Sequence, residues 1–127
     1  MREVWRDESG ASALEFAMTL PAFIMLSFGT IQIGYGLFCG STVQYALEHV
    51  ARNVMVDSTM TQSTVQTQFD DELKSMNGPK ATVTYTVDTS GPVPIARLLS
   101  TYKHKVAIPL VPEFTLTFTA DTRVPQP

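Results

Sequence analysis

No charged side chain occurs from Phe16 through Leu47, and this gap constrains the chain more than any other feature. Within it Phe16–Phe38 is mostly Phe, Ile, Leu, Met, Ala and Gly, with Thr19, Ser27, Thr30 and Gln32 as polar interruptions. As a helix rising about 1.5 Å per residue, that segment covers roughly 35 Å, against about 30 Å of hydrocarbon in a bilayer. A soluble protein would have to surround such a helix on all sides, and a chain of 127 residues has too little other material to do so. The run is also longer than the roughly 7–15 apolar residues of a secretory signal, and Phe38 is a poor residue to precede a cut at Cys39. The expectation is a transmembrane helix over 11–40, preceded by a leader at 1–10 and followed by a head at 41–127.

Arg2 and Arg6 precede the span, whereas the far side has only Arg52 before Lys74. The positive-inside rule therefore places the leader in the cytoplasm and the head in the periplasm or outside the cell. Pro21 removes one backbone donor inside the helix, which loosens its first turns. Gly36 and Gly40 form a G-x-x-x-G, with Gly29 and Gly34 upstream, the small-residue pattern that lets a second membrane helix approach closely.

At the edge of the span, Ser12 and Glu15 have the spacing of a capping box, in which each side chain bonds the other residue's backbone amide. A carboxylate so close to the hydrocarbon also needs compensation. The run Arg6-Asp7-Glu8-Ser9-Gly10-Ala11-Ser12-Ala13-Leu14-Glu15-Phe16-Ala17, followed by Leu20-Pro21, resembles the N-terminal signature of TadE-like proteins of the tight-adherence (Flp) pilus system, which are pilin-like pseudopilins. Ala46, Ala51 and Arg52 continue the likeness into the helix after the span. The resemblance implies cleavage by a prepilin peptidase between Gly10 and Ala11, which makes Glu15 the fifth residue of the mature chain. It implies pairing of Glu15 with the α-amino group of a neighbouring subunit. It also implies an inner-membrane location and, as partners, pilin and TadF-like subunits and the pilus assembly platform of that membrane. The alternative is an uncleaved, single-pass periplasmic binding or sensor module.

Past the span, Val43, Ala46, Leu47, Val50, Ala51 and Val54 form one apolar stripe, so the helix is predicted to continue to about Val56. Thr61 is a candidate N-cap for a second helix, with Met60 and Val65 placed as a hydrophobic staple. Val65, Phe69, Leu73 and Met76 give that helix an inner face, and Asn77-Gly78-Pro79 ends it. From Ala81 the period changes to two: Ala81, Val83, Tyr85 and Val87 mark one strand, Val106, Ile108 and Leu110 a second, and Phe114, Leu116, Phe118 and Ala120 a third. A loop opens at Gly91-Pro92-Val93-Pro94, with a short helical turn expected over Ile95–Ser100. Pro109 and Pro112 belong to an edge or a strand end. The fold class is α+β: a long N-terminal helix, a short second helix and an antiparallel sheet of about three strands.

Nine Lys and Arg against twelve Asp and Glu give a net charge of −3, which disfavours nucleic acid as a partner. One cysteine and two distant histidines supply neither a disulfide nor a metal-ligand spacing, and no cofactor motif is present. Asp70, Asp71 and Glu72 lack calcium-loop spacing and read as a solvated helix face. Ser100, His104 and Asp121 have the residue types of a nucleophilic triad, but no nucleophile elbow accompanies them, and His104 between two lysines reads as exposed. The chain is not expected to be an enzyme; its partners are other subunits and the lipid bilayer.

Overall fold

The computed structural model describes residues 8–126, with side chains from Gly10 onward. Residues 1–7 of the leader, with Arg2 and Arg6 on which the expected orientation rests, lie outside the described residues.

Helix α1 runs over Glu8–Val56 without interruption at Pro21. Thr19 and Thr30 donate to the carbonyls of Glu15 and Leu26 at 2.9 and 2.8 Å, which satisfies both hydroxyls inside an apolar stretch. Because Glu8 already lies in the helix, Ser12 occupies an interior position and the expected Ser12–Glu15 capping box does not define its start. After Val56 the carboxylate of Asp57 accepts from the Thr59 amide and hydroxyl at 2.9 and 2.6 Å. These bonds turn the chain and hold the Asp57 carboxyl below the usual carboxylate range.

Helix α2 spans Gln62–Ser75, with Thr61 as N-cap accepting from the Thr64 amide. Val65, Phe69 and Leu73 are buried, and Met60 and Met76 pack against the same core. Its C-terminus closes as a Schellman motif, in which Gly78 N donates to Leu73 O at 2.7 Å and Asn77 N to Lys74 O at 3.1 Å. The left-handed residue is Asn77, at φ 50°, while Gly78 is needed for space: a Cβ there would lie 2.8 Å from Thr42 Cγ2.

Three antiparallel strands follow, β1 (Thr82–Asp88), β2 (Ile95–Val106) and β3 (Phe114–Pro125), in the order β1-β2-β3. Two expectations are corrected here. Ile95–Ser100 is strand, because Ala96, Leu98 and Ser100 alternate inward and pair with Val87, Tyr85 and Val83. Ile108 and Leu110 lie beyond the strand, where Pro109 cannot donate and Leu110 adopts φ 67°. Pro109 and Pro112 sit in the β2–β3 connection, at a strand end.

The sheet and α2 pack on one side of α1 around Val43, Leu47, Val50, Val54, Phe69, Val83 and Leu98. Each such fully buried side chain contributes about 1.5–3 kcal/mol relative to exposure. Val87 is 40% exposed, so the inward face of β1 ends at Tyr85. The outer edge of β1 is covered by two glutamines of α2. Gln62 accepts from Tyr85 N and donates to Val83 O, both at 2.7 Å, and Gln66 accepts from Val83 N at 3.0 Å. An edge that would otherwise recruit another strand is thus paired from within the chain.

Candidate functional site

The surface that distinguishes this molecule is that of α1, which changes character along its length. In the first half Leu14, Phe16, Met18, Leu26 and Ile31 are 65–76% exposed. Only 6% of the most apolar window of α1 is buried, so the helix is long and apolar enough to cross a membrane and has almost no protein around that stretch. In the second half Val43, Ala46, Leu47, Val50, Ala51 and Val54 are at most 1% exposed.

The two halves overlap, because the buried stripe starts well before residue 41. Gly29, Gly36 and Cys39 are buried, at spacings that run on into Val43, Ala46, Val50 and Val54. A Cβ on Gly29 would lie 3.2 Å from Ile108 Cδ1. On Gly36 it would lie 2.8 Å from His104 Cδ2, and on Gly40 2.7 Å from Phe118 Cδ1. The close approach that Gly36 and Gly40 were expected to offer a second membrane helix is therefore occupied by this chain's own β2 and β3. At Gly34 nothing lies within 4 Å.

Aromatic rings fill the seam opened by these glycines. Tyr35 meets His104 edge-on at 5.7 Å, and Tyr102 stacks on its cross-strand partner Phe118 at 6.3 Å. His104 is buried, against the expectation of exposure, since period two places it on the face of Leu98, Ser100 and Val106. Its Nδ1 lies 3.2 Å from the Tyr102 hydroxyl, whereas its Nε2 has no hydrogen-bond partner among the described residues. Burial, with the Cys39 thiol beside it, pushes the Tyr102 phenol up to about 12.

The conceivable triad does not assemble. Ser100 donates to Thr82 O at 3.0 Å, and Asp121 forms a bidentate pair with Arg97 at 3.0 and 2.7 Å on the outer face. That pairing holds the Asp121 carboxyl low, and His104 lies on the opposite, helix-facing side. The acidic triplet is similarly dispersed: Asp70 accepts from Gln66, Asp71 faces Lys74, and Glu72 lies 3.5 Å from His49 Nδ1. Among the described residues no group of three His, Cys, Asp or Glu is arranged to hold a metal ion.

Gly10, Ala11, Ser12 and Glu15 lie on the exposed N-terminal turns of α1, remote in sequence from the buried stripe. A Cβ on Gly10 would meet nothing within 4 Å, so the fold places no steric demand there. The seam residues His104, Phe118 and Ile108 were not singled out as helix contacts by the sequence. The available signal was the spacing of Gly29, Gly36 and Cys39, continuous with Val43 and the stripe beyond.

No curated protein and no solved structure matches the chain. The family model described as TadE-like protein matches residues 10–52, from the exposed start of α1 to near the end of the head-bearing stripe. Over residues 10–52 the chain is similar to the TadE-like proteins.

Proposed function

We propose that the chain is a membrane-anchored minor pilin or pseudopilin acting in assembly or secretion of Flp-type, tight-adherence pili. The observation that carries this reading is the TadE-like helix itself, apolar and uncovered at one end and bearing a small αβ head at the other. Its mechanism is interaction. The exposed half of α1 sits in the inner membrane with its N-terminus cytoplasmic, and the head stands in the periplasm. A prepilin peptidase cuts between Gly10 and Ala11, and Glu15 then pairs with the new α-amino group of a neighbouring pilin or TadF-like subunit. Such a pairing offsets the cost of a carboxylate among apolar helices. Ser12 is then the second residue of the processed chain and caps the shortened helix. The assembly platform handles the subunit by its helix, since Gly36 and Gly40 are engaged with the head.

Intact mass and N-terminal sequencing of the protein from its native membrane test this reading. A chain beginning at Ala11 supports it. A chain retaining Met1 removes the processing step and favours the uncleaved single-pass module. Gly10→Leu is a clean companion, because nothing in the fold contacts that position. It should leave the leader attached, whereas normal processing of the variant would place the cut elsewhere.

A further inference from the structure

We propose that the tip of the β2–β3 hairpin, residues 107–114, is a second membrane-contacting element that inserts into the outer-leaflet interface beside α1; this rests on the reading of α1 as a bilayer anchor. The hairpin runs antiparallel to the helix and points toward its uncovered end. His104 sits over Gly36, and Ile108, four residues further along, reaches Gly29. If the hydrocarbon begins just past Glu15, about 20 residues carry the span to Tyr35. Gly29 then lies roughly 9 Å inside the outer boundary, the depth of an interfacially bound element of about 5–10 Å. A head packed in this way cannot hold its tip clear of the bilayer.

The tip has the chemistry for that position. Ala107-Ile108-Pro109-Leu110-Val111-Pro112-Glu113-Phe114 contains one charged residue. Leu110 is 86% exposed, and Val111 and Phe114 are also exposed. Leu110 adopts φ 67°, a conformation that a turn in water assigns to Gly or Asn. Its fully presented side chain instead gains where it meets hydrocarbon. The backbone cost is small, because Pro109 and Pro112 carry no N–H and Val111 N donates to Ile108 O at 3.1 Å. Behind the tip, Lys103 and Lys105 are exposed on the strand, placed to reach anionic headgroups while the hairpin lies below them.

The test uses the full chain in vesicles of phosphatidylcholine and phosphatidylglycerol whose acyl chains are brominated. Trp5, the one tryptophan, is replaced by Phe, and single tryptophans are introduced as Leu110→Trp, Val111→Trp, Phe23→Trp in the span and Thr101→Trp on the outer face of the sheet. The proposal expects blue-shifted emission and loss of intensity to bromolipid at 110, 111 and 23, with Thr101→Trp unquenched. Quenching at 23 but at neither tip position overturns the proposal and leaves the anchor intact. Absence of quenching at all four positions overturns both.

Discussion

The two halves of α1 are built from similar apolar residues and meet opposite fates. Leu26 is 71% exposed and Leu47 fully buried, on the same helix. Residue type alone therefore does not decide what an apolar helix packs against. What differs is the neighbourhood: small residues at Gly29, Gly36, Cys39 and Gly40 admit a sheet on one side, and the head has only three strands and one short helix with which to cover the rest. Apart from Leu14 these uncovered residues lie in the charge-free run, which is long and apolar enough to cross a bilayer.

The sharpest way to break the comparison is to truncate one leucine in each half and follow thermal unfolding of the head in detergent micelles. Leu47→Ala should destabilise by about 2–5 kcal/mol, because the cavity opens in the core, while Leu26→Ala should leave the midpoint unchanged. Equal effects would mean that the halves are not distinct. Next in size come the glycines. Gly36→Ala or Gly40→Ala should cost about 1–3 kcal/mol by displacing His104 or Phe118, against no measurable loss for Gly34→Ala.

Gln62→Ala should cost about 1 kcal/mol and speed amide exchange along the outer edge of β1, because it frees Tyr85 N and Val83 O. The smallest effect belongs to Asp121. Its carboxyl is held low by Arg97, so its contribution is complete above the ordinary carboxylate range and fades as pH falls through the folded value. Asp121→Asn should cost a small amount of stability at neutral pH, a difference from the parent chain that disappears as pH falls through the folded carboxyl's range, which a pH series of melting curves would reveal.

Much of this architecture was legible because periodicity and end signals agree. The stripe from Val43 to Val54, the Thr61 cap and the alternation after Ala81 each point to one element. Legibility failed where a local signal competed with pairing. Pro92 and Pro94 ahead of Ile95, and Leu99 breaking the alternation beside Leu98, disguised the start of β2, which only its ladder with β1 reveals. At Ile108 and Leu110 the pattern persists although the strand has ended. His104 looked exposed between Lys103 and Lys105, yet those neighbours occupy the other face of the same strand. The glycines announced close packing without naming the partner, because a missing Cβ has no chemistry that distinguishes a helix from a sheet. Gln62 and Gln66, which cover the edge of β1, gave no signal at all, since a polar residue on an exposed helix face needs no special reason to be there.

The central claim is that the first half of α1 is held by lipid. Alkaline carbonate extraction of native membranes, followed by detection of the head, tests it most directly. The account predicts that the chain stays with the sedimented bilayer as an integral protein. Release of the head into the soluble fraction would contradict it, because the uncovered half of α1 would then need a different partner or would no longer be attached.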